Sequence, residues 1–341
     1  MEDVSESDNN VETSIIHLPD DCLSFIFQRL DSVADHDSFG LTCHRWLNIQ
    51  NISRRSLQLL TRFQWLEHLS LSGCTVLNDS SLDSLSFCPN LSVVSLYRCN
   101  ISDIGLETLA RASLSLKCVN LSYCPLVSDF GIKALSQACL QLESVKISNC
   151  KSITGVGFSG CSPTLGYVDA DSCQLEPKGI TGIISGGGIE FLNISGVSCY
   201  IRKDGLVPIG SGIASKLRIL NLRMCRTVGD ESIEAIAKGC PLLQEWNLAL
   251  CHEVKISGWE AVGKWCRNLK KLHVNRCRNL CDQGLLALRC GCMNLQILYM
   301  NGNARLTPTA IEMFRLHRAD ITLRTEEMMV IGPDWRLYAQ E

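Results

Sequence analysis

Twenty cysteines and seven histidines are the residues of this chain best suited to covalent or metal chemistry. A thiolate can attack an electrophile or ligate zinc, and an imidazole can move a proton. Each role has a spacing that would betray it. The histidines form no H-E-x-x-H, and none stands near a G-x-S-x-G. Cys290-Gly-Cys292 has no paired C-x-x-C motif at zinc-site spacing. The run Gly186-Gly187-Gly188 belongs to no phosphate-cradling G-x-x-x-x-G-K-[ST] and to no strand-linked G-x-G-x-x-G. The expectation is no catalytic residue, no metal and no cofactor.

What remains is recognition. Tyr97, Arg98, Tyr123, Lys146, Asp169, Asp171, Arg223, Asn247, Lys271, His273, Arg276 and Tyr299 fall at matching places in a recurring pattern. Tyr and Arg are the types enriched at binding hot spots. The middle of this set is acidic and its C-terminal half more basic, which fits a bipolar substrate or a degron with an acidic element. The same positions would also suit the solvated face of a sheet.

The element that positions them is a repeat. Leu269-Lys-Lys-Leu272-His-Val274-Asn-Arg-Cys277 reads L-x-x-L-x-L-x-x-C, and the spacing restarts at 66, 91, 116, 142, 165, 189, 217, 243, 269 and 295. Intervals of 23 to 28 residues are those of a leucine-rich repeat. The second and third apolar positions alternate along a short strand and face a core, so the residues between them face the other way. A helix follows each strand: in Ser102-Asp103-Ile-Gly105 and Ser128-Asp129-Phe-Gly131 the Ser or Asp is the expected N-cap. Pairs such as Leu106 with Leu109 and Ile132 with Leu135 bury one helical face. The fold class is therefore α/β: an open horseshoe with parallel strands on the concave face and helices outside. The glycine-rich units starting at 165 and 189 are expected to have short or poorly formed helices. A final helix near 307–316 and a strand near 321–324 precede a tail holding Met328, Met329 and Trp335, which reads as a C-terminal cap.

The repeat also explains most of the cysteines. Eight stand at the ninth position of a unit and five stand three residues before one. Buried thiols behave as small apolar groups and stay free in a reducing compartment, so nucleus or cytoplasm is the expected location. A net charge of −3 implies no general attraction to nucleic acid. No apolar run reaches the roughly 18 residues a membrane span needs, so no membrane partner is expected.

Ahead of the repeats, residues 1–14 read as a disordered acidic tail. Residues 15–51 are not a repeat, and 52–65 are a linker in which Leu57, Leu59 and Leu60 cap the first unit. The repeats occupy 66–303 and the cap and tail 304–341. Within 15–51, Leu18-Pro19 leads into a helix with Asp20 as its expected N-cap. Leu23, Ile26, Phe27 and Leu30 then follow at i, i+3, i+4 and i+7. Phe39, Leu41, Cys43 and Trp46 make a second apolar set. Roughly 40 residues cannot hold an independent core, so this stretch must bury its stripe against something else.

Leu18-Pro19, Leu23, Ile26-Phe27, Leu30, Asp37, Leu41, Cys43 and Trp46 resemble the F-box pattern, with Thr42 where many relatives carry Val. Followed by cysteine-containing leucine-rich repeats, the chain resembles the F-box/LRR-repeat family, including its plant members. The resemblance implies a three-helix F-box that docks on a Skp-type adaptor, and through it on a cullin. The chain would then be the non-catalytic substrate receptor of an SCF-type ubiquitin ligase. It also implies that Leu18, Pro19, Leu23, Ile26, Phe27 and Leu30 contact the adaptor; the bland reading is internal core. Two other functions compete: a stand-alone binding or inhibitory horseshoe, and a small-molecule hormone co-receptor, the latter disfavoured by ten units forming an open arc.

Overall fold

The computed structural model describes residues 18–30, 65–197, 201 and 204–336. The expected helix containing Cys43 and Trp46, and the capping leucines 57, 59 and 60, lie outside these. The chain divides into two compact units, 1–55 and 56–341.

In the first unit, helix α1 spans Asp20–Gln28. Its N-cap is Pro19 rather than Asp20, with φ −56° and ψ 154°. Proline disfavours the α conformation in the residue before it and lacks an N–H, so the helix starts just after it. Asp20 and Asp21 therefore lie inside the first turn, where carboxylates meet the positive end of the helix dipole.

The second unit is an eleven-stranded parallel sheet whose strands pair in sequence order. Strands β1 to β11 are His68–Ser70, Val93–Ser95, Cys118–Asn120, Ser144–Lys146, Tyr167–Asp169, Phe191–Asn193, Ile219–Asn221, Glu245–Asn247, Lys271–His273, Ile297–Tyr299 and Thr322–Arg324. The register has no slip, so equivalent residues form three rows. The middle row, from Leu69 through Val119, Leu192, Trp246 and Leu298, lies in the continuous core that runs through the repeats of this second unit. The outer rows face away from it, as the alternation requires.

Helices α2 (Asp103–Ala112) and α3 (Asp129–Ala138) follow β2 and β3. Helix α4 (Pro177–Ile184) follows β5. Helices α5 (Asp230–Gly239), α6 (Ile256–Trp265), α7 (Asp282–Gly291) and α8 (Pro308–His317) follow β7 to β10. Three units replace the α-helix with a 3₁₀ turn, at Asp79–Phe87, Val156–Phe158 and Val207–Gly210. The expectation for the glycine-rich region thus holds for the unit at 189. In the unit at 165 the helix is well formed but short, eight residues against ten in the other repeat helices, and Pro177 opens it, proline being preorganised for the first helical position. The expected final helix and strand are α8 and β11.

The Ser-Asp-x-Gly helix starts divide their labour. Ser128 is the N-cap and accepts from Phe130 N–H, as Ser102 does from Ile104 N–H. The aspartate is not the cap. Asp103 Oδ1 instead accepts from the backbone N–H groups of Ser128 and Gly131 in the next unit, at 2.8 and 3.0 Å. Asp79, Asp129, Asp230 and Asp282 reach across in the same way. The glycine makes room for that reach, since a Cβ on Gly131 would stand 2.6 Å from Asp103 Oδ1.

The cysteines form a second series of inter-unit links. The Sγ atoms of Cys99, Cys124, Cys150 and Cys173 donate to the carbonyls of Leu71, Leu96, Leu121 and Ile147 at 3.0–3.1 Å. Cys225, Cys251 and Cys277 do likewise. In the last unit Asn303 takes the cysteine's place and donates to Val274 O at 2.7 Å. Burial pushes the Cys99, Cys124 and Cys277 thiols up to about 12. No cysteine among the described residues is disulfide-bonded, and no metal-holding cluster of His, Cys, Asp and Glu occurs among them. Among the described residues, no helix is long and apolar enough to cross a membrane.

Candidate protein-recognition face

The residue just before each ninth position adopts a left-handed conformation in all ten units. Seven are not glycine: Arg98, Tyr123, Asn149, Ser172, Met224, Leu250 and Arg276, with φ between 56° and 63°. Gly73, Gly196 and Gly302 fill the other three places. Each closes a tight turn, as where Cys99 N–H donates to Leu96 O at 3.1 Å. A left-handed residue costs an L side chain roughly 1–2 kcal/mol, so the turn recurs because the strand must leave the sheet there. Arg98, Tyr123 and Arg276 stand on these turns and are exposed.

Arg98, Tyr97 and Tyr123 form one cluster at the N-terminal end. The two rings meet edge to face at 5.5 Å. The Arg98 guanidinium lies 5.3 and 5.2 Å from their centroids, within cation–π range.

The middle is a buried polar network. Asp169 is only 5 % exposed. It pairs with Lys146 at 3.1 Å and accepts from Ser148 Oγ at 3.0 Å and Asn193 Nδ2 at 2.8 Å. Asp171 accepts from Ser195 Oγ at 2.6 Å. Further on, His273 Nε2 meets Glu245 Oε1 at 3.0 Å, and Lys271 Nζ lies 3.4 Å from Glu245 Oε2. Burial opposes ionisation of Glu245, but the His273 hydrogen bond and the Lys271 charge outweigh it and hold its carboxyl below the usual range. His273 is buried and stacks on Tyr299 at 4.2 Å. Asp169, Asn247, His273 and Tyr299 are thus buried within the chain, whereas Arg98, Tyr123 and Arg276 keep exposed surface. Arg223 and Lys271 are half-buried.

Sequence reasoning missed what covers this face. The C-terminal tail is not an end cap; it returns across the strands. Asn275 Nδ2 donates to Glu326 O at 3.2 Å, Arg276 Nε pairs with Glu327 at 2.7 Å, and Asn247 Nδ2 donates to Met328 O at 3.3 Å. A Cβ on Gly332, at φ +85°, would enter the Phe191 ring. Trp335, 6 % exposed, packs with Val93, Cys118, Tyr167 and Phe191. Tyr167 and Phe191 stack at 4.1 Å beside it. A signal was available: Val93, Cys118, Phe191 and Ile219 are outward-facing strand positions, and a row of apolar residues there requires a cover.

On the separate N-terminal unit, Leu23 and Phe27 of α1 are buried, while Leu18, Ile26 and Leu30 are partly buried and Pro19 is exposed.

Comparison with known proteins agrees with this architecture. A family model described as Leucine Rich repeat matches residues 87–110, 112–136 and 214–237. An F-box/LRR-repeat protein 12 of Arabidopsis thaliana is 86 % identical over 395 aligned positions that cover all of both chains. Among solved structures, an internalin of Listeria monocytogenes superposes with a TM-score of 0.55 at 16 % identity, covering 91 % of this chain and 95 % of its own. That likeness shows the repeat fold. A chain from the yeast Rad7–Elc1 complex aligns over 89 % of this chain and 92 % of its own, with a TM-score of 0.46 and 17 % identity.

Proposed function

The chain belongs to the F-box/LRR-repeat family, and we propose that it is the substrate-recognition subunit of an SCF-type ubiquitin ligase. The observation that carries this reading is the full-length similarity to a relative bearing both parts in its name. The motif around α1 would dock on a Skp-type adaptor, which binds a cullin, and the strand face would present a protein for ubiquitination. Ubiquitin would be moved by recruited enzymes, so the chain itself supplies binding and positioning. The undisulfided thiols of the core suit a reducing compartment, nucleus or cytoplasm.

The two halves of the adaptor stripe differ in support. Pro19 is exposed and Leu18, Ile26 and Leu30 keep surface that a partner's groove can cover. Leu23 and Phe27 are buried already and serve mainly to hold α1 in place.

Co-purification with a Skp-type adaptor tests the reading. Wild-type chain is expected to bring the adaptor down, and Leu18→Ala with Pro19→Ala to lose it while the repeats stay folded. A wild-type chain that captures no adaptor refutes the receptor role and favours a stand-alone binding protein.

A further inference from the structure

The course of residues 325–336 is explained neither by the repeat nor by the adaptor motif. Glu326, Glu327 and Met328 engage the units of β9 and β8, and Trp335 engages the units of β2 to β6. From β9 to β3 is six strand spacings, roughly 29 Å at about 4.8 Å each. The chain from Thr325 to Trp335 spans at most about 34 Å when extended. The tail therefore crosses the face with little slack, bending at Met329, Val330 and Gly332 on the way, and lies across the strands as a bound peptide would.

Its contacts are of two kinds. Asn275 and Asn247 take main-chain carbonyls, which any extended peptide offers. The asparagine device recurs. Asn120, Asn193, Asn221 and Asn247 each accept the N–H two residues on through Oδ1. That leaves Nδ2 for another partner, and Asn221 Nδ2 is buried with none among the described residues. The other kind selects side chains. Arg276 takes a carboxylate, and the apolar shelf of Val93, Cys118, Tyr167 and Phe191 takes an aromatic ring.

Resting on the substrate-receptor reading, we propose that residues 325–335 are a built-in occupant of the substrate groove. The substrate class is then a peptide segment laid across the strands with an acidic residue about eight positions ahead of an aromatic one, as Glu327 stands to Trp335. A short tether holds the tail at an effective concentration in the millimolar range. A free peptide meets only the fraction of molecules whose groove is open, and its apparent affinity falls by that fraction. Substrate loading and tail release are one exchange.

The test titrates a fluorescent peptide of residues 325–336 into the full-length chain and into a full-length Glu327→Arg/Trp335→Ala variant. The variant is expected to bind at least about tenfold tighter, because its own tail competes poorly. A peptide with the same two replacements should bind neither chain. Equal affinity for both chains, or no binding to a variant that keeps the wild-type circular dichroism spectrum, overturns the proposal. A second arm guards against misfolding: an Arg276→Glu chain should prefer a peptide with arginine at the Glu327 position. Preference for the native peptide there also overturns it. Adaptor capture is measured on the same preparations. Its loss would refute the receptor reading while the titration still decides whether the groove takes such peptides.

Discussion

The thiol of Cys118 donates to the main-chain carbonyl of Trp335 at 3.5 Å, joining residues 217 apart in the chain. Cys118 lies on the outer row of β3, and Trp335 near the C-terminus is what covers it. Burial pushes this thiol up to about 12.

Alkylation of Cys118 therefore reports tail docking. Removing a well-buried Trp side chain costs about 3–5 kcal/mol, which moves a docking equilibrium more than a hundredfold. In the full-length Trp335→Ala chain, Cys118 is expected to react with iodoacetamide at least about tenfold faster than in wild type. Cys251, deep in the core, should keep its wild-type rate. Peptide mass mapping of a labelling time course reads both, and an unchanged Cys118 rate would show that the tail is held without its tryptophan.

The aspartate links between units predict a specific loss at Asp103. Its carboxylate accepts two backbone N–H groups and the Ser128 hydroxyl of the next helix start. Asp103→Ala leaves these donors unpaired, at about 1–3 kcal/mol. Denaturant unfolding should give that loss with an unchanged m-value. Lys133→Ala, an exposed change on helix α3, whose start Asp103 of α2 holds, should stay within about 0.5 kcal/mol.

The cysteine series predicts alkaline weakness. Unfolded thiols ionise near about 8.5, while the folded Cys99, Cys124, Cys225 and Cys277 thiols are held up to about 12. The folded state thus keeps protons that the unfolded state releases. This contribution is whole below about pH 8.5 and declines as pH rises through the interval up to about 12. Thermal unfolding between pH 8 and 10.5 should show a falling midpoint, and Cys277→Ala should flatten the slope while lowering the midpoint at pH 8. A flat profile in the wild type would sink this account.

The repeat, its period and the inward leucines were legible in the sequence, because a unit that cannot bury its own apolar face must repeat it in phase to be covered by neighbours. Ninth-position cysteines were legible as scaffold for the same reason. Leu18-Pro19 and the apolar stripe after it were legible by spacing as a helix start and a one-sided apolar face; that they resemble an F-box comes from the family pattern. Three things needed the folded chain. Asp103 looked like a helix cap, and only the stacking of units shows its carboxylate serving the next one. Asp169 and His273 looked like exposed contacts, and only the register brings Lys146, Asn193 and Glu245 close enough to consume them. The outward apolar row of Val93, Cys118 and Phe191 called for a cover, but that Trp335 supplies it was not legible, since periodicity reports neighbours along the chain. A tail crossing six strands is decided by which distant surface is left apolar and by whether the remaining chain is long enough to reach it.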